Sequence, residues 1–267
     1  INAEELGEIE PWEFFYPTKV TIKASVLENL EFPGNKFYYK RLDGKDLIFF
    51  IGDEQPTDGG GIYAAGKKAY QLANMVLDVA ERFGCRRIYT SDATVTLTHH
   101  TLKPRVWAAT SRSDLNEKLK DYPNTILMGE VEGSRNRDNI IGLNGLLLGL
   151  AKKRGVEGIC LMGEIPDYLT RAPFPYPRAS KSVLEVLTKF LGIEIDYGAL
   201  DEMIVRIDSV IDGIYEQLPP RVKERIEQRK SIVEANPGII TEEDEKWIKE
   251  HIDEFFQKKG SGDERPS

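Results

Sequence analysis

The spacing of apolar residues changes character along the chain. Up to about residue 52 the apolar runs are short: VTIKAS (20–25), NLEF (29–32), KFYYKRL (36–42) and DLIFFIG (46–52), separated by Pro33–Gly34 and Asp43–Gly44. Runs of this length, rich in β-branched and aromatic residues, predict strands. Asp43–Gly44 is a hairpin signal, because the favoured two-residue turn needs positive φ at both central positions. DLIFFIG is apolar without interruption, the pattern of a strand buried on both faces.

Strands and helices then alternate. Ala65, Leu72, Val76, Val79 and Ala80 recur at helical spacing and predict a helix over 62–83. Further strands are expected at RRIYTS (86–91), RVWAATS (105–111), NTILMGE (124–130) and GICLMGE (158–164). Helices are expected over 113–122, 144–155 and 180–192, the last two stopped by Gly155 and Gly192. Such alternation predicts an α/β protein with a mostly parallel sheet covered by helices on both faces. After residue 196 the strands cease. Leu200, Met203, Ile204, Ile207, Val210, Ile211, Ile214 and Leu218 form a helical stripe closed by Pro219–Pro220, and a second helix covers 221–235. Thr241 and Asp244 fit a capping box ahead of Trp247, Ile248, Ile252, Phe255 and Phe256. The expected organisation is an α/β core over 1–195, a C-terminal helical region over 196–258 and a disordered tail over 259–267.

Composition narrows the functional classes. The 267 residues carry a net charge of -8, with 40% hydrophobic and 30% charged residues. An acidic chain is ill suited to nucleic acid or anionic lipid, both of which are held by Lys and Arg. No apolar run reaches the roughly 20 residues of a membrane span, and no signal peptide is evident at the N-terminus. Cys85 and Cys160 each lie beside or within an expected strand, as reduced core thiols of a cytoplasmic protein would.

Four features could carry chemistry. Gly61 and Gly66–Lys67 match the G-x-x-x-x-G-K of a phosphate loop, but position 68 is Lys where a hydroxyl is needed, and DEQPTDG separates the glycines from the preceding strand. The segment therefore reads as a glycine-rich lead into a helix, with Asp58 as a candidate cap. Two strands end alike, ILMGE at Glu130 and CLMGE at Glu164. Ligands of parallel sheets bind beyond the carboxyl ends of strands, so the two carboxylates could share a pocket as acid and base; alternatively each caps a loop or forms an ion pair. SDATVTLTHHTLKP (91–104) is long for a connection and offers Asp92, His99 and His100. Adjacent histidines on an extended loop point opposite ways, which argues against a shared metal, and no metal or cofactor is expected. The stripe over 200–218 packs on its own domain or forms a subunit interface through Ile204, Ile207, Ile211 and Ile214. Asp201, Glu202, Asp208 and Asp212 are read as its solvated side.

The stretch 139–200 resembles the proteasome-assembly-chaperone-two (PAC2) family of archaea and bacteria. The matching residues are Gly142, Asn144, Gly145 and Leu146 to Leu148, the run from Gly158 to Pro166, the proline-containing lead into the helix at 180, and the H-x-x-x-P of His100 and Pro104. The family's pattern opens with a strand and a glycine-rich turn that would precede Ile1. The resemblance implies a three-layer α/β/α sandwich of the phosphorylase/hydrolase-like kind with a C-terminal helical region, and homo-oligomers. Some relatives are assembly chaperones of proteasome α-rings that dock through a C-terminal hydrophobic–Tyr–x tail; the sequence here ends ERPS. Two functional readings stand. One is a non-enzymatic oligomer that binds protein partners, itself and proteasome-like subunits among them. The other is a small-molecule-binding protein or a hydrolase- or ligase-like enzyme, with a site built from Asp92, His99, His100, Glu130, Asn144 and Glu164.

Overall fold

The computed structural model describes residues 2–56, 66–129 and 139–235. Its strands are β1 (Glu4–Glu8), β2 (Lys19–Lys23), β3 (Val26–Glu31), β4 (Asn35–Leu42), β5 (Lys45–Gly52), β6 (Arg87–Thr96), β7 (Val106–Thr110), β8 (Thr125–Leu127) and β9 (Glu157–Pro166). Its helices are α1 (Gly66–Arg82), α2 (Ser113–Lys120), α3 (Leu143–Lys153), α4 (Pro177–Leu191), α5 (Gly198–Gln217) and α6 (Pro220–Ala235). The chain is thus a mixed α/β protein. Gly61, the candidate cap Asp58, Glu130 and the expected capping box at Thr241 lie outside the described residues.

The described residues fall into two compact units, one drawn from 1–90 and 139–159, the other from 91–138 and 160–267. In the first, Asp43–Gly44 turns β4 back onto β5, with Leu42 opposite Lys45 and Gly44 at φ +75°. β1 pairs antiparallel along the other edge of β4, giving the order β1-β4-β5. β5 is half-buried instead of buried on both faces: Ile48 and Phe50 pack on the core, while Ile51 faces solvent. Helix α1 supplies Leu72, Ala73, Val76 and Leu77 to that core, one turn apart on one stripe, and α3 supplies Leu143, Leu147, Leu150 and Ala151. Their partners include Ile9, Phe14, Phe15 and Phe37.

A separate hairpin, β2–β3, turns through Ala24 and Ser25, both at positive φ (49° and 67°). A two-residue loop of this kind matches the twist of the flanking strands, although neither residue is glycine or asparagine.

The remaining sheet has the order β6-β9-β7-β8, with β7 and β8 parallel. β6 runs to Thr96, so its polar, threonine-rich second half is strand where the sequence predicts loop. The second unit's helical core gathers Tyr168, Leu169, Tyr176, Ala179, Ile211, Leu218, Val222 and Ile226. Gly192 ends α4 in the left-handed region (φ 62°, ψ 44°), as expected of a glycine stop. No helix among the described residues is long and apolar enough to cross a membrane.

The start of α3 shows why its motif needs glycines. Gly142 has φ +86°, and the Leu143 amide that opens the helix is capped by the Gln55 side chain at 2.8 Å. A Cβ on Gly145 would lie 2.1 Å from the Ile140 carbonyl oxygen, whereas a Cβ on Gly149 would meet nothing. Gly145→Ala is therefore expected to destabilise by more than about 2 kcal/mol, because the clash is with backbone. Gly149→Ala, on the same helix, should stabilise by about 0.5–1 kcal/mol. Paired thermal melts check the opposite signs.

Candidate functional site

The segment that follows β6 is buried throughout: Leu97, Thr98, His99 and His100 are each at most 7% exposed. A turn, closed by the Leu102 amide on the His99 carbonyl (3.0 Å), replaces the extended loop expected here. It brings the two imidazoles side by side, ring centroids 4.2 Å apart and 32° from parallel, so the histidines do not point opposite ways.

Each ring is hydrogen-bonded through Nδ1, and each Nε2 faces a carboxylate. The Thr101 amide donates to His99 Nδ1 at 3.2 Å, with Thr101 Oγ1 2.9 Å away, and His99 Nε2 lies 3.3 Å from Glu227 Oε1 on α6. The Tyr168 hydroxyl accepts the His100 backbone N–H (2.9 Å), so its own proton can go to His100 Nδ1 at 2.6 Å. That leaves the His100 proton on Nε2, 3.7 Å from Asp212 Oδ1 on α5. Tyr215 packs against both rings, at 5.6 and 4.8 Å, and donates to Glu227 at 2.6 Å. Tyr176, at the start of α4, donates to the His100 carbonyl at 3.4 Å.

The electrostatics follow from burial. Desolvation first, then the neighbouring His99, pull the His100 pKa down to about 4, against the opposing pull of Asp212, Glu227 and Asp208. Burial likewise pushes the hydroxyls of Tyr168, Tyr176 and Tyr215 upward. The hydrogen bond from Tyr215, with desolvation opposing and the His99 charge adding, holds the Glu227 carboxyl below its usual range. These groups form a network that binds the loop to α4, α5 and α6.

The second cluster centres on Glu164. β9 continues to Pro166, so Glu164 sits inside the strand and not at a strand-end rim. Its side chain has no exposed surface. It accepts from the Arg105 guanidinium (Nε 3.0 Å to both oxygens, Nη2 2.8 Å from Oε1), from the Trp107 indole (2.8 Å) and from the Arg105 backbone amide (3.0 Å). The carboxylate's acceptor sites are thus taken by fixed donors from the β7 side, an ion pair of the kind the sequence left open. Gly163 has its own reason: a Cβ there would be 2.7 Å from the Ala179 carbonyl, so glycine lets α4 lie directly on β9.

The other sequence-predicted residues are placed as follows. Asp92 is exposed on β6, its carboxylate turned to the adjacent Ala93 amide at 2.8 Å. Asn144 lies in the first turn of α3, in the first unit. Glu130 is outside the described residues. Along α5, Ile211 is buried in the second unit's core and Ile207 packs on it, while Ile204 and Ile214 are half-buried. The acidic residues of α5 are not a merely solvated side: Asp208 takes a two-pronged bond from Arg178 (2.7 and 2.6 Å), Asp201 pairs with Lys181, and Asp212 faces His100. Neither cysteine is in a disulfide; burial raises the pKa of the Cys85 thiol, and Cys160 is fully buried. Among the described residues no three His, Cys, Asp or Glu side chains converge where a metal could sit.

Sequence reasoning missed Tyr168, Tyr176, Tyr215, Glu227, Arg105 and Trp107. None stands in a spaced motif with the histidines. They meet them, or meet Glu164, only once the chain is folded.

The model of the PAC2 family matches residues 1–214. The chain belongs to the PAC2 family. It is 31% identical to Pyrococcus furiosus PbaB, described as an archaeal proteasome activator, over 79% of this chain and 82% of that one, with a TM-score of 0.62. It is 27% identical over 240 residues to an uncharacterised protein of Methanocaldococcus jannaschii, covering 90% of this chain and 80% of that one. P. furiosus PbaA, described as an archaeal homologue of proteasome-assembly chaperone, shares the fold at 20% identity, covering 81% of each chain with a TM-score of 0.55.

Two outcomes follow from the two clusters. Glu164→Gln removes the charge that neutralises a half-enclosed guanidinium and should cost about 3 kcal/mol. A lower denaturation midpoint, with a shift in Trp107 emission in the folded state, checks it. For His100, the folded protein refuses a proton that the unfolded chain accepts at about pH 6.5. Its contribution to stability is therefore complete above about pH 6.5 and is lost as pH falls towards about 4. Urea midpoints measured across that window should fall more steeply for the wild type than for His100→Gln.

Proposed function

We propose that this PAC2-family protein acts by binding protein partners, itself and proteasome subunits, and not by catalysing a reaction at His99, His100 and Glu164. The carrying observation is the 31% identity to the proteasome activator PbaB, which extends over most of both chains. The residue geometry supports the same reading. A general acid or base must reach a substrate proton, and here both imidazoles and the Glu164 carboxylate are buried, the rings bonded internally through Nδ1 and the carboxylate through both oxygens. The fold that goes with this reading is a three-layer α/β/α sandwich with a mostly parallel sheet. The parallel β7–β8 pair and the helices packed on each unit's core support it.

The test is direct. Purified full-length protein is mixed with the proteasome core particle of its source organism, and binding is read by native electrophoresis and surface plasmon resonance. The expected result is a saturable complex and altered peptide hydrolysis by the core particle. No complex with either the core particle or free α-subunits overturns the proposal.

A further inference from the structure

The hairpin β2–β3 forms a two-stranded sheet of its own. Val20, Ile22, Leu27 and Leu30 on it are 54%, 66%, 60% and 41% exposed. The register pairs Val20 with Leu30 and Ile22 with Leu27, and it shifts between Thr21 and Ile22, which leaves Glu28 as an extra residue in β3. Side chains alternate along a regular strand, so Leu27 and Leu30, three positions apart, would fall on opposite faces. The bulge at Glu28 puts them on the same one. These four aliphatic side chains therefore share a single face; Lys19, Thr21, Lys23, Asn29 and Glu31 occupy the other, together with Val26 beside the turn. An isolated two-stranded hairpin is marginal in water, and clustered exposed aliphatics mark an interaction surface.

We propose that this face is an interface between two copies of the chain, packed hairpin on hairpin through Val20, Ile22, Leu27 and Leu30. The inference rests on the self-association named in the proposed function. Charge selects a second copy as the occupant. Two chains of net charge -8 repel one another, yet the hairpin over residues 19–31 carries two lysines and two glutamates. These are paired across the strands, Lys19 with Glu31 at 4.0 Å and Lys23 with Glu28 at 3.6 Å. It is an electrically balanced apolar patch on an acidic protein, where two copies can meet without opposing like charges. A bulged strand flanked by charges resists edge-to-edge addition, so the contact is face to face and closes on itself. At the hairpin's base, Trp12 is 62% and Tyr16 87% exposed, with Trp12 stacked edge-on against Phe32 at 4.5 Å.

Light scattering after size-exclusion chromatography of the full chain tests this, with self-association measured by dilution. Three proteins are compared: wild type, Ile22→Glu/Leu27→Glu, and Thr21→Glu on the opposite face. The wild type should associate at micromolar concentration. The double variant should weaken association by about 100-fold or more, and Thr21→Glu by less than about 3-fold. Far-UV circular dichroism checks folding, and Ile22→Thr/Leu27→Thr, which keeps strand propensity, gives the same reading should the glutamates unfold the hairpin. A double variant that stays associated, or a Thr21→Glu that dissociates as fully, overturns the hairpin interface while leaving self-association and proteasome binding standing. A monomeric wild type overturns the interface and self-association together.

Discussion

The second unit depends on one constraint: a carboxylate with no access to water must be neutralised where it stands. Glu164 has a guanidinium, an indole N–H and a backbone N–H within 3.0 Å. Leaving such a charge unpaired would cost several kcal/mol, comparable with a small protein's whole stability, so its partners cannot drift. Two of the three donors belong to Arg105 and one to Trp107, all at the start of β7. The Glu164 amide returns a bond to the Arg105 carbonyl at 3.1 Å. The charge therefore sets the register of β9 against the start of β7. Gly163, next in line, then admits α4 at contact distance. A pair of this kind is weak evidence for high stability, since an apolar replacement could stabilise as well. What it specifies is position.

The histidine network solves a related problem by other means. Here burial disfavours the charged form of His100 instead of pairing it. Tyr168 gives one hydroxyl to two atoms of the same residue, accepting from the His100 amide and donating to its ring, and this fixes the tautomer. Asp212 and Glu227 stay at the exposed ends of the network, where water still solvates them. The arrangement resembles an acid–base constellation in composition but not in access. The nitrogen that would face a substrate is directed at α5 in one ring and at α6 in the other. The carboxylates of α5 and α6 stand against those nitrogens.

What could be read from the sequence was whatever local spacing determines. α1, α3 and α4 follow from stripes of Leu, Val and Ala with glycine stops, and the β4–β5 hairpin follows from Asp43–Gly44. The misplaced boundaries share a cause. β6 extends through SDATVT, and β9 passes Glu164 to Pro166, because a neighbouring strand supplies hydrogen bonds that no side-chain pattern announces. The Ala24–Ser25 turn escaped notice because both residues adopt positive φ without being glycine or asparagine. The histidines stand out as residues in the sequence, but their relative geometry does not, because a turn closes at Leu102 where the local pattern implies extended backbone. Tyr168, Tyr215 and Glu227 could not be found at all: they lie 68 or more positions further along the chain from His100 and are joined to the histidines only by tertiary packing.

Two apolar surfaces bear on assembly, the α5 stripe and the β2–β3 hairpin, and they differ in standing. The α5 stripe spends Ile211 and Ile207 on its own core, and a side chain already buried cannot be buried again by a partner. The β2–β3 hairpin keeps Val20, Ile22, Leu27 and Leu30 in water, and the bulge at Glu28 is what aligns these four, while Val26 lies on the other face. A bulge costs ladder hydrogen bonds and is retained where it redirects side chains. Here the redirected side chain is Leu27. With a regular β3 it would share the face of Lys19 and Glu31; with the bulge it completes an apolar square with Val20, Ile22 and Leu30. Stability of the isolated hairpin gives no reason for that outcome, since gathering aliphatics on a solvated face gains little by itself. Burial of that face against another surface supplies the reason, and the balanced charge around it fits a surface as acidic as the chain's own.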